Sequence, residues 1–161
     1  MHRSIIMENI ASFKINHLVL EPGLYVSRKD KQNDTVITTF DMRLTAPNRE
    51  PVVDMSALHT IEHLGAIYLR NSKIKEKIVY FGPMGCRTGC YLLMFGDLKS
   101  EDILEEILAM CDYIVEFEGE IHGAKPEQCG NYLEQNLNMA KHYISKYKNS
   151  LLQNGCFEYK E

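Results

Sequence analysis

VITTFDMRLT, residues 36–45, decides how the rest of the chain is read. Apolar and polar side chains alternate along it at period two, the pattern of a half-buried strand. Upstream, SFKINHLVL (12–20) and LYVSRKD (24–30) read as two further strands, separated by the turn EPG (21–23). Strands joined by short turns pair antiparallel, so the first 45 residues predict an antiparallel sheet. The loop APNREP (46–51) carries two prolines and ends the run.

Helical signals follow. Residues 56–71 predict a helix that Asp54 or Ser56 can cap, because a short polar side chain there accepts a free N–H of the first turn. Leu58, Ile61, Leu64 and Tyr68 form its apolar face. KIVYF (77–81) is a short strand that runs into the glycine-rich turn GPMGCRTG (82–89), and CYLLMFG (90–96) returns. SEDILEEILAMCDYIVEF (100–117) is the most helix-like segment, with Ser100 as cap and Ile103, Ile107, Met110 and Ile114 recurring on one side. GAKPEQCGN (123–131) is a loop, residues 134–148 a last helix, and the tail is polar and frayed. The expected architecture is α+β, an antiparallel sheet covered on one face by helices, in a single domain over residues 1–161.

The chain's 161 residues suffice to bury a core, and 45% hydrophobic with 25% charged residues is a soluble mixture. A net charge of −4 without a basic stripe gives no reason to expect nucleic acid. No apolar run approaches the roughly 20 residues that span a bilayer. MHRSIIMENIASF at the start lacks the apolar stretch and cleavage site of a signal peptide, which points to the cytoplasm. Five cysteines at irregular spacing make a poor disulfide framework. Cys111 lies in a helical stretch and reads as core.

HTIEH (59–63) is the first chemical signal. Residues four apart share a helix face, with Cβ atoms about 5–6 Å apart, so His59 and His63 can hold one metal ion. Glu62 projects near the same face, placed to act on whatever the metal binds. H-x-x-E-H is also the spacing of inverted zinc peptidases. The plain alternative is a helix surface with two histidines and a glutamate. A catalytic site needs a third protein ligand and an open position, and Cys129, flanked by Gly130, is the candidate thiolate. PMGCRTG (83–89) is the second signal: glycines leave Cys86 unobstructed, and the Arg87 cation favours its thiolate. Cys86 reads as nucleophile or acid/base, or else as an incidental thiol in a hairpin. Pairing of Cys86 with Cys90 ranks last, because C-x3-C is not a usual zinc spacing.

Taken together, HTIEH, PMGCRTG, FDMR (40–43), QCG (128–130) and SFKINH (12–17) resemble the S-ribosylhomocysteine lyases, the LuxS-type autoinducer-2 synthases of bacteria. The motifs fall in the family's order and cover most of the chain. The resemblance implies that His59, His63 and Cys129 bind one divalent metal per subunit, iron(II) or zinc, with iron(II) favoured. It implies that Cys86 and Glu62 are the catalytic acid/base pair. Arg43 would orient substrate and the cysteine, and Arg70 would lie near the homocysteine end. Ser12, Phe13 and His17 would complete the pocket across a homodimer interface formed on the sheet side. The implied reaction cleaves S-ribosylhomocysteine to homocysteine and 4,5-dihydroxy-2,3-pentanedione by carbonyl migration and β-elimination. That reaction would link the methionine cycle to quorum sensing. Tyr80, Phe81 and Gly82 depart from the family, which usually has an acidic residue and a serine there, and Cys90 stands where an aromatic residue is usual. The rival readings are a small H-x-x-E-H metallopeptidase and a non-catalytic metal- or sugar-binding relative.

Overall fold

A computed structural model describes residues 7–155 and 157–160. Cys156 lies outside the described residues, as do the first six residues of the amino-terminal stretch read for a signal peptide. Four strands form one antiparallel sheet: β1 (Gly23–Gln32), β2 (Thr35–Arg43), β3 (Ile78–Pro83) and β4 (Gly89–Phe95), in the order β1-β2-β4-β3. The helices are a single turn, α1 (Ala11–Lys14), and three long ones, α2 (Met55–Asn71), α3 (Ser100–Glu116) and α4 (Leu137–Asn154). No helix among the described residues is long and apolar enough to cross a membrane.

The period-two pattern of β2 works as the sequence requires. Phe40 and Met42 stand opposite Leu92 and Cys90 of β4 and enter the core. α2, α3 and α4 pack on that face, supplying Leu58, Ile61 and Leu64, then Ile103, Ile107, Met110 and Ile114, then Ile144, Tyr147 and Leu151. Full burial of each such apolar side chain stabilises by about 1.5–3 kcal/mol. Cys111 is in this core, and Tyr68 is half-buried with its hydroxyl donating to Glu106 at 2.8 Å. One expectation fails: β2 is buried on both faces from Thr38 to Arg43. Asp41 and Arg43 satisfy each other on the polar face, where the Thr39 hydroxyl is buried without a partner among the described residues.

Other boundaries also move. SFKINHLVL is not a strand. It starts as the turn α1, and then Asn16 Oδ1 accepts from Leu18 N–H at 3.1 Å, a local bond that competes with sheet pairing. Asp54, not Ser56, caps α2, accepting from Ala57 N–H at 3.2 Å. Ser100 does not cap α3. Asp102 accepts the Lys99 N–H at 2.7 Å instead, and the Ser100 hydroxyl is buried without a partner among the described residues. α4 starts three residues later than expected, capped by Asn136 through Met139 N–H at 3.1 Å, and runs on to Asn154. The tail is docked: Tyr159 stacks on Tyr25 with centroids 4.7 Å apart and donates to Asp41 Oδ2 at 3.0 Å.

Candidate metal centre and the Cys86 turn

α2 places His59 and His63 one turn apart on its outer, half-buried side. The loop between α3 and α4 crosses that side and fixes both rings. His59 Nδ1 lies 2.9 Å from the Glu134 carbonyl, and His63 Nδ1 lies 2.7 Å from the His122 carbonyl. A carbonyl oxygen only accepts, so each Nδ1 is the donor in these contacts, and a neutral ring so oriented presents its Nε2 lone pair. Those lone pairs face each other across 3.0 Å, and Cys129 Sγ sits 3.4 Å from His59 Nε2. One thiol proton cannot serve both nitrogens. A cation can, and ligand atoms held about 2.0–2.3 Å from a zinc-like centre lie roughly 3–4 Å apart. The donor set and its spacing therefore fit a divalent metal, with the carbonyls as the supporting shell such imidazoles require.

Two of the signals for this corner were unreadable in advance. Backbone carbonyls carry no letter in a sequence. Gly123 does, but its reason is local: its φ is +75°, and a Cβ there would stand 3.2 Å from His63 Nδ1. Glycine takes that angle without strain and leaves room for the loop to press its neighbour's carbonyl onto His63.

An open cavity of about 570 Å³ exposes this cluster, lined by His59, Glu62, His63, Arg70, Gln128 and Cys129, with others. The Glu62 carboxylate makes no hydrogen bond or ion pair among the described residues. Arg70 spends part of its guanidinium on the Ile78 and Val79 carbonyls, at 2.9 and 3.0 Å. Its remaining N–H groups make no bond among the described residues and can meet a ligand.

Cys86 does not line that cavity. It sits exposed in the turn between β3 and β4, and the turn is tied to the start of α2 by Val53 N–H donating to the Arg87 carbonyl at 2.8 Å. Gly89 begins β4 where a Cβ would stand 2.3 Å from the Met42 carbonyl, so the turn lies directly against β2. Behind Cys86 is a buried network. Arg43 grips Asp41 through Nε at 3.1 Å and Nη2 at 2.5 Å, and its Nη1 donates to Thr88 Oγ1 at 2.6 Å. Thr88 Oγ1 is 3.2 Å from Cys86 Sγ, while Arg43 Nη1 is 3.9 Å from it. Burial raises the Cys86 thiol, but bonds from Thr88 and the Arg43 charge outweigh it and hold the thiol below its ordinary value. Burial also holds the Asp41 carboxyl above its ordinary value, with Arg43 drawing it back toward the charged form.

Cys90 links the two regions. It is buried and free, and its thiol is pushed far up by burial, with the Glu62 and Asp41 charges adding to the effect. It therefore forms no pair with Cys86. Ser12, Phe13 and His17 do not reach the His59 cavity within this chain. Ser12 lines a separate hollow with Ser27, Arg28, Thr39, Tyr91 and Leu93, Phe13 is exposed, and His17 Nδ1 bonds the Ile15 carbonyl at 2.8 Å.

Comparison with known proteins bears on this geometry. The S-ribosylhomocysteinase (LuxS) family model matches residues 10–157. The S-ribosylhomocysteine lyase of Finegoldia magna is 57% identical over 143 residues, 89% of this chain and 91% of its own. That of Clostridium acetobutylicum is 56% identical over 149 residues, 92% and 94% of the two chains. That of Borreliella burgdorferi is 53% identical over 142 residues, 88% and 90%.

Proposed function

The chain belongs to the S-ribosylhomocysteinase family, and from that premise we propose how its own residues carry the reaction. It is a carbon–sulfur lyase that cleaves S-ribosylhomocysteine to homocysteine and 4,5-dihydroxy-2,3-pentanedione, the autoinducer-2 precursor. The observation that carries the site assignment is the facing pair of imidazole lone pairs beside Cys129, opening with Glu62 into one cavity.

His59, His63 and Cys129 would hold one divalent ion, and two imidazoles with one thiolate suit iron(II) or zinc, iron(II) being our preference. When bound, such an ion supplies a Lewis acid that polarises a sugar oxygen. The side chains do the rest. The thioether sulfur on C5 leaves readily only once the sugar carbonyl has migrated from C1 to C3, because the C4 proton then becomes acidic. Glu62, unpaired in the cavity, moves protons on one side of the sugar. Cys86, its thiol eased toward thiolate, would move them on the other, brought to the sugar across the homodimer contact because within one chain it lies outside this cavity. Arg43 holds Cys86 in place, and Arg70 offers its spare donors to the homocysteine end.

Ser12, Phe13 and His17 would complete the pocket of a second copy in a homodimer formed on the sheet side. Supporting this, Met7, Ile10, Phe13, Leu18 and Val19 leave an apolar strip exposed on one chain alone. We take residues 1–161 as one domain working in the cytoplasm, within the methionine cycle, with quorum sensing as the product's use. The peptidase alternative requires a carboxylate as third ligand, whereas the cluster offers Cys129.

The test supplies S-ribosylhomocysteine to the purified protein and titrates free thiol. One thiol per substrate is expected, and metal-loaded protein that releases none overturns the assignment. Equilibrium sedimentation should show a dimer at micromolar concentration, and a fully active monomer would remove the shared pocket.

A further inference from the structure

Thr88 belongs to none of the roles assigned so far, yet its hydroxyl is the closest polar atom to the Cys86 sulfur among the side-chain bonds of the turn. It is buried, 5% exposed, and its carbonyl is pinned by Leu44 N–H at 2.9 Å and Thr45 N–H at 3.2 Å. Arg43 Nη1 reaches its Oγ1 at 2.6 Å. A guanidinium has donors and no acceptor, so the Thr88 oxygen accepts that bond and cannot return it. Its single proton is left for the remaining neighbour, Cys86 Sγ at 3.2 Å. We propose that Thr88 is a positioning residue, relaying the Arg43 charge to Cys86 by directing its own O–H onto the sulfur.

The direct Arg43 contact, at 3.9 Å, is at the limit for a bond to sulfur, so the relay is the stronger path. The backbone is bent to suit it. Arg87 lies between the two residues with φ at +59°, in the left-handed region that non-glycine residues avoid. That bend also lets the Thr88 N–H bond the sulfur, and both Thr88 bonds favour the thiolate. The charged and titratable groups around the sulfur are Arg43 on β2, with Asp41 and Tyr159 behind it, and Tyr91 on β4, while the Arg87 charge in the turn acts on Asp54.

The inference deepens the acid/base role proposed for Cys86, but its test does not depend on that role. Metal-loaded enzyme is alkylated with iodoacetamide across a pH series without substrate, and modification of the Cys86 peptide is read by mass spectrometry. Thr88→Val should raise the midpoint by about one to two pH units, the weight of one hydrogen bond to a charged atom. Thr88→Ser should restore it, which a purely structural role would not predict. In turnover, Thr88→Val should lower kcat about tenfold or more with KM little changed. A Thr88→Val midpoint equal to wild type, or a serine variant that behaves like valine, overturns the proposal. Should valine prevent folding, judged by circular dichroism, Thr88→Ala carries the same expectation. A shifted midpoint with undiminished thiol release keeps the relay and removes Cys86 from the reaction.

Discussion

The histidines of α2 and the thiol of the β3–β4 turn are fixed by different kinds of partner. His59 and His63 are oriented by two main-chain carbonyls from a loop some 60 to 75 positions away, and their inward nitrogens are left facing each other. Cys86 is backed by side chains, Thr88, Arg43 and Asp41, each bonded to the next and nearly all buried. The first region is oriented but unsatisfied, so disturbing it should change ligand affinity more than fold stability. The second is satisfied internally, so disturbing it should cost stability as well as chemistry.

The sharpest way to set the two against each other is to remove one reacting group from each. Glu62→Gln on the histidine side and Cys86→Ala on the turn should each lower thiol release by about 10²–10⁴-fold. Neither is a member of the His59–His63–Cys129 cluster, so metal content should stay at the wild-type level in both. Homocysteine release and metal content measured on the same samples decide it. A Glu62→Gln enzyme with wild-type turnover would make the carboxylate structural only.

Stability should separate the regions next. Asp41→Asn leaves the Arg43 guanidinium buried without its counter-charge, and breaking such a pair by removing one partner costs about 3–5 kcal/mol. Urea unfolding of the metal-free protein reads this directly. A loss under about 1 kcal/mol would mean that Thr88 and a neutral side chain at position 41 hold Arg43 without the counter-charge.

Gly123→Ala probes the unsatisfied side. A Cβ there meets His63 Nδ1 at 3.2 Å and is strained at a φ of +75°, so the loop must retreat from the imidazole. Loss of a supporting bond to a metal ligand typically costs about 10–100-fold in affinity. Competition with a chelator should show a drop in that range, and unchanged affinity would mean that the His122 carbonyl is not needed to aim His63.

The same contrast explains what the sequence discloses. HTIEH is legible because the four-residue spacing of a helix is regular, and Cys129 is legible because its glycine neighbour marks a loop. The alternation in VITTFDMRLT shows a strand, but letters alone cannot distinguish a solvated Asp41 from one locked to Arg43 and Tyr159. SFKINHLVL has strand-like residues, yet Asn16 closes a local turn there instead. Residues 134–136 look helical, but the Glu134 carbonyl is drawn to His59 and Asn136 becomes the cap of α4. Thr88 sits in plain view inside PMGCRTG. Its role rests on which of three neighbouring atoms can donate, and that is a property of geometry.

The mildest test concerns the bend itself. Arg87 holds a left-handed backbone at φ +59°, a conformation that costs a non-glycine residue about 1–3 kcal/mol. Glycine takes the same angles without that strain, but it gives back roughly 0.5–1 kcal/mol through the entropy of the unfolded chain. Arg87→Gly should therefore be neutral to stabilising by about 2 kcal/mol, a rise of several degrees in Tm at most. The bonds from Val53 N–H and Arg87 N–H use only the main chain, so the turn should keep its place against α2 and β2. Cys86 alkylation should then follow the wild-type pH profile, because Thr88 still faces the sulfur. A profile moved upward would show that the Arg87 cation, rather than its bend, is what the thiol feels, and the contrast between a charge relayed by Thr88 and one supplied directly would reverse.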